Sequence, residues 1–177
     1  LSYDGSITVS GNSYSGTLSV YFKGAFQGAA PVTGTITQGT SVSGTLTGTG
    51  AGSGSFQLLY AANNGEAAAL PAIQGSLGWW GHIGESTSGL GFNFAVDASG
   101  NVIDDVRTTD GAFAGCAVFG PIAPISGTHL YVVSVTLSSC RTAANGNYTG
   151  LAALRTSNRL FFMVTNGSFS LSNEFYQ

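Results

Sequence analysis

The stretch GCAVFGPIAPISGTHLYVVSVTLSSC, residues 115–140, holds both cysteines of the chain and one of its two histidines. Its second half alternates: Tyr131, Val133, Val135 and Leu137 are interleaved with Val132, Ser134 and Thr136. A pleated strand sends successive side chains to opposite faces, so this pattern predicts a strand with one wholly apolar face. Ser126 to His129 supply turn chemistry, which makes the stretch a hairpin. With the turn there, paired positions sum to about 256, so that Cys116 faces Cys140 and Phe119 faces Leu137. Phe113 and Phe119 then share the core face with Tyr131, Val133, Val135 and Leu137. The two cysteines lie on the opposite face with Ser134, Thr136 and Ser138.

A disulfide between Cys116 and Cys140 is the expected state of this pair. A redox site favours Cys-x-x-Cys at a helix start, and a zinc site needs four closely spaced ligands, neither of which the sequence offers. No metal and no cofactor are expected.

The same alternation runs through the rest of the chain. Leu18 and Val20 are flanked by Thr17, Ser19 and Tyr21, and Phe92, Phe94 and Val96 by Asn93, Ala95 and Asp97. Turn residues interrupt these runs at Gly11-Asn12, Gly39-Thr40, Gly50 to Gly54, Asn63-Asn64-Gly65, Asp97 to Asn101, Asp110-Gly111, Asn145-Gly146 and Asn166-Gly167. The only Ala-rich window, GEAAALPA at 65–72, is cut by Pro71 and leaves room for one helical turn. The chain is therefore read as all-β and antiparallel. Eight strands are expected at 73–82, 90–97, 101–107, 112–122, 129–139, 147–155, 158–165 and 168–176, a number that suits an up-and-down barrel or a sandwich. Before Pro71, strands near 5–10, 14–23, 32–38, 42–48 and 54–61 are richer in Gly and Thr. The Glu66 to Pro71 region marks the expected boundary between an N-terminal β unit, 1–68, and a C-terminal barrel-like unit, 69–177. One continuous domain is the alternative.

Only 7% of the 177 residues are charged, with a net charge of −3 and 27 glycines, against about 25% charged in typical chains. Five scattered basic residues cannot form the dense positive face that a phosphate backbone requires, which excludes nucleic acid. A hydroxyl-rich, Lys-poor chain with an even cysteine pair has the composition of an exported protein. LSYDGSITVSG at the start reads as strand, so an export signal is expected to have been removed already.

VSGNSYSGTLSV, GTITQGTSVSGTLTGTGAGSGSFQLLY, FAVDASGNV, the GC followed by GPIAP, YVVSVTLSSC and YTGLAAL occur in an order that resembles a group of uncharacterised Gly/Thr-rich proteobacterial envelope proteins, often predicted to be lipoproteins. The resemblance implies an exported β protein in the periplasm or at the surface of a Gram-negative bacterium. No lipobox cysteine precedes Leu1, so membrane attachment is expected only through a lipid anchor outside this sequence.

Candidate site residues are few. GWWGHIGE at 78–85 concentrates Trp79, Trp80, His82 and Glu85, and adjacent tryptophans on a strand must point to opposite faces, one into the core and one toward solvent, a loop or a ligand. Asp97, Asp104, Asp105 and Asp110 form an acidic run whose spacing fits solvated turns and matches no complete calcium loop. His129 follows a Ser-Gly-Thr turn and reads as a strand-end surface residue. Asn147 and Asn166 open glycosylation sequons that read as turns in a bacterial chain. No nucleophile elbow accompanies His82 or His129, and no carboxylate pair for glycoside hydrolysis is set by sequence among Glu66, Glu85, Glu174 and the aspartates.

The expected function is thus non-catalytic: a surface adhesion or ligand-binding module whose partner is a protein or a surface glycan, with barrel mouths and the cleft between units as the places for a site. A periplasmic inhibitor or immunity protein that blocks an enzyme or toxin through an acidic or aromatic loop is the alternative. An outer-membrane barrel fits the size but not segments such as 42–54, with Gly, Ser and Thr on both faces. A flat Thr-array surface such as ice binding would want a fixed repeat that GTITQGTSVSGTLTGT lacks.

Overall fold

The structure is a computed structural model that describes residues 1–48, 53–60, 67–74, 78–82, 91–106, 112–156 and 158–177. The chain divides into two compact units, Leu1–Asn64 and Gly65–Gln177.

The N-terminal unit is an open five-stranded antiparallel meander of β1 (Ser2–Ser10), β2 (Ser13–Phe22), β3 (Ala25–Thr37), β4 (Ser41–Leu46) and β5 (Gly54–Leu59), in that spatial order. Two-residue turns join the first three strands: Ser10 pairs with Ser13 around Gly11-Asn12, and Phe22 with Ala25 around Lys23-Gly24. Lys23 and Gly24 both take positive φ, 49° and 83°, as a right-twisted two-residue hairpin requires. Lysine is an unusual choice there, and for that reason β3 begins at Ala25 rather than near residue 32.

The C-terminal unit closes on itself. After the single helical turn α1 (Leu70–Ile73), eight strands follow: β6 (Trp79–His82), β7 (Gly91–Val96), β8 (Asn101–Val106), β9 (Ala117–Pro124), β10 (Leu130–Ser138), β11 (Gly146–Thr156), β12 (Arg159–Thr165) and β13 (Ser170–Tyr176). Each pairs antiparallel with the next, and β13 returns to β6 through Tyr176 and Trp80. This is an up-and-down barrel in which alternate residues face inward.

The described inward residues pack into one core. Tyr131, Val133, Val135 and Leu137 of β10 are all buried, and Phe94, Phe162 and Phe175 meet at the centre with ring centroids 4.9–5.8 Å apart in tilted and edge-on contacts. Both ends are stoppered. At one end α1 inserts Ile73, whose carbonyl accepts the Trp79 indole N–H at 2.8 Å; the Tyr131 hydroxyl donates to the Ala69 carbonyl and accepts from the Ala69 N–H, each at 3.0 Å. At the other end Phe113 packs edge-on against Tyr148 and Phe169, and Tyr148 donates to the Ala144 carbonyl at 2.8 Å. Burial there pushes the Tyr148 phenol up to about 12.

Two expected strands shorten at these stoppers. Residues 112–116 are a turn, closed by the Cys116 N–H on the Phe113 carbonyl at 3.1 Å, so the strand starts at Ala117. Among the described residues of 73–82, Trp79–His82 is strand and Ile73 belongs to the helical turn 70–73.

Cys116 and Cys140 are bonded. The hairpin register differs from expectation by one: Val118 pairs with Leu137 and Phe119 with Thr136, so the partners sum to 255 rather than 256. The loop holds residues 126–129 and is closed by the Ile125 N–H on the Leu130 carbonyl, and a one-residue slip exchanges the faces of a whole strand. Phe119 is consequently outside and 60% exposed, while Val118 and Ile122 are inside. Cys116 is not on the face away from Leu137 but is fully buried in the core. Cys140 reaches it from just beyond β10, where Ser139 takes φ of 57° and breaks the alternation.

The disulfide spans 24 residues, a closure that stabilises a chain by about 3.5 kcal/mol in the loop-entropy description. Replacing both cysteines by Ala is expected to lower the unfolding free energy by about 3 kcal/mol or more, read from urea midpoints at constant slope; an unchanged midpoint would show that the bond is not a staple.

Candidate functional site

A concave surface with ligand-sized volume lies on the N-terminal sheet. In its central rows the strand register sorts residue types by face. Across all five strands, Ile7, Gly16, Val32, Leu46 and Gly54 stand in one row, and Val9, Tyr14, Gly34, Gly44 and Phe56 in the next. The opposite face carries the rows Thr8, Ser15, Thr33, Thr45, Ser55 and Ser10, Ser13, Thr35, Ser43, Gln57. Hydroxyls there bond across strands, Thr33 to Thr45 at 3.4 Å and Thr35 to Ser43 at 3.2 Å, and the remainder meet water.

The apolar face alternates bulk with glycine, and each large side chain lies over a neighbouring strand. Tyr14 spans two of them. A Cβ on Gly34 or Gly44 would overlap the Tyr14 hydroxyl, and that hydroxyl donates to the Ser43 carbonyl at 3.2 Å. Glycine in a strand interior marks this kind of close approach, and an aromatic ring laid over it restores the contact that the missing side chain would have made.

Between these ridges lies a groove of about 580 Å³, lined by fourteen residues from Tyr3 to Leu58. Its floor is Val20, Ala30, Val32 and Tyr14, all at most 5% exposed, and its rim includes Ile7 and Leu58 at 46% and 62%. Both edge strands contribute, β1 through Tyr3 and Ile7 and β5 through Phe56 and Leu58. No lining residue is charged. The volume falls within the range of about 300–1,000 Å³ typical of small-ligand sites.

The residues singled out by sequence are not brought together. Trp79 is the inward tryptophan, fully buried, with its indole spent on the Ile73 carbonyl. Trp80 stands beside Asn93 and Tyr176 in the strand register, its side chain and that of His82 lie outside the described residues, and so does Glu85. Asp97 is occupied with its own hairpin: Oδ1 accepts the N–H groups of Ser99 and Asn101, each at 2.8 Å, and Oδ2 accepts the Asn101 side chain at 3.0 Å. Asp104 and Asp105 belong to β8 with side chains outside the described residues, as is Asp110. Glu174 pairs with Arg159 at 3.3 Å and Arg155 at 3.8 Å on the barrel surface. His129 is exposed beside the 126–129 turn. Among the described residues no three His, Cys, Asp or Glu side chains group as metal ligands.

Fold and groove together define a class: an all-β chain with a self-filled barrel and an open, apolar-faced sheet. No family model, no curated protein and no solved structure matches the chain.

Hydrogen bonds from Asn101, backbone first and then side chain, hold the Asp97 carboxyl below its ordinary value of 3.8. A depressed carboxyl contributes stability that is present above the unfolded-state value and lost as pH falls through the folded-state value. Amide exchange at Ser99 and Asn101 is therefore expected to lose protection as pH drops below about 3.8, after correction for intrinsic exchange rates, and Asp97→Ala should lack this dependence. At the groove, Gly44→Ala is expected to cost about 1–3 kcal/mol of stability by overpacking against Tyr14, measured by denaturant unfolding.

Proposed function

We propose that this protein is a non-catalytic, exported binding module of the bacterial envelope, with the groove of the N-terminal sheet as its ligand seat. One observation carries the reading: a groove of ligand-sized volume with an uncharged, mostly apolar lining lies on the five-stranded sheet, with Ile7 and Leu58 exposed at its rim. Exposed apolar surface of this kind marks binding sites more often than it marks unused surface.

Export is supported by the Cys116–Cys140 disulfide, which fits an oxidising compartment. Among the described residues no helix is long and apolar enough to cross a membrane. The barrel's inward aromatic packing differs from the polar lumen of an outer-membrane channel, while its outward face mixes Ser134, Thr136 and Ser138 with exposed Val132, Leu151 and Phe161. A surface kept soluble by hydroxyls rather than charges suits contact with neutral envelope polymers or lipids. Among the described carboxylates, Asp97 is committed to its turn and Glu174 to two arginines, which is in keeping with a non-catalytic reading.

Binding of the purified chain to Gram-negative envelope fractions tests the reading. Ile7→Asp with Leu58→Asp should abolish the signal while circular dichroism stays native, and Phe119→Asp on the barrel exterior should leave it intact. Signal that follows Phe119 and ignores the groove would place the site on the barrel instead. In cells, alkylation before lysis followed by mass spectrometry should recover the two cysteine peptides joined.

A further inference from the structure

We infer that the groove takes a single saturated hydrocarbon chain, with the occupant's polar end left in water. This rests on the binding-module reading above and names the ligand class.

The chemistry of the lining excludes the other classes in turn. An anionic or cationic ligand group needs a compensating charge when it leaves water, and none of the fourteen lining residues carries one. Asp4, the one acid on the edge strand, pairs with Ser19 in the row of the opposite face. A sugar buried in the groove would need donors and acceptors along its whole length. Hydroxyls in the lining come only from Tyr3, Tyr14, Ser53 and Ser55, and that of Tyr14 is already bonded to the Ser43 carbonyl.

A peptide strand is disfavoured for a related reason. The groove floor is the face of a sheet whose backbone groups pair with each other from β1 through β5, so it offers no main-chain partner to a peptide lying on it. Hydrocarbon asks for none. It needs only apolar walls, which Leu18, Val20, Val32, Val42, Leu46 and Phe56 supply, in a space of about 580 Å³.

The open rim accounts for the head group. Ile7 and Leu58 remain 46% and 62% exposed, so the groove is a trough with one side in water. A chain can lie along it while its polar terminus stays solvated. Such a site reads chain length rather than head-group identity, because affinity grows with each methylene buried.

Octyl, decyl and dodecyl maltoside, all below their micelle concentrations, are the probes, titrated into the full chain by calorimetry. Affinity should rise about two- to fourfold per methylene, the range for partial to complete burial, and binding should carry a negative heat-capacity change. Ile7→Asp and Leu58→Asp should each weaken dodecyl maltoside at least tenfold, while Phe119→Asp leaves it unchanged. Affinity independent of chain length, or equal loss with Phe119→Asp, would overturn the assignment without requiring any groove variant to fold. Absence of alkyl binding by a chain that still captures envelope material through Ile7 and Leu58 would reject the hydrocarbon and leave the binding module standing.

Discussion

A β-strand cannot choose to have one kind of face: its side chains alternate, and every apolar row it creates must be covered by something. The two units of this chain answer that constraint differently. Eight consecutive strands bend their apolar rows toward a common axis, and the rows cover one another, with Phe94, Phe162 and Phe175 filling the centre. The five-stranded sheet stays open. Within that unit its apolar rows are partly covered by their own members, Tyr14 folded over Gly34 and Gly44 being the clearest case, and a groove remains.

The glycines of the N-terminal sheet take their meaning from this. Gly16, Gly34, Gly44 and Gly54 all fall on the apolar face, each beside a large residue on a neighbouring strand, while the other face is given to Ser and Thr. What looks like low complexity in GTITQGTSVSGTLTGT is a two-sided code. Hydroxyls keep one face wet, and the mixture of bulk and vacancy shapes the other into a trough rather than a flat apolar plate. The barrel stoppers follow a comparable economy, one helical turn at one end and the disulfide-tied 112–116 turn at the other.

Much of the fold was legible, because alternation and turn residues are local signals. The strand count, the single helical turn near Pro71 and the bonded cysteines all follow from neighbours in sequence. The failures concern quantities that no local pattern fixes. A one-residue error in the 115–140 register moved Phe119 from core to surface and Cys116 from surface to core, since Ile125 and Leu130 close the loop and Ser139 breaks the alternation next to Cys140. The start of β3 was hidden by a Lys-Gly turn, where a lysine takes a conformation usually left to Gly or Asn. A site at the barrel mouths is one expectation from sequence, and Ile73 and Phe113 sit at those ends; the apolar groove shows in the phase of Ile7, Tyr14, Leu18 and Val32 only once the five-strand register joins them into one surface.

Methyl NMR with a soluble gadolinium chelate distinguishes a solid barrel from an open sheet face. The Ile7 and Leu58 methyls should relax strongly in proportion to the added chelate. Those of Val133, Val135, Leu154, Leu160 and Val164 should remain nearly unaffected, because their side chains are buried inside the ring of strands. Strong relaxation of the barrel methyls, or protection of Ile7 and Leu58, would contradict the account.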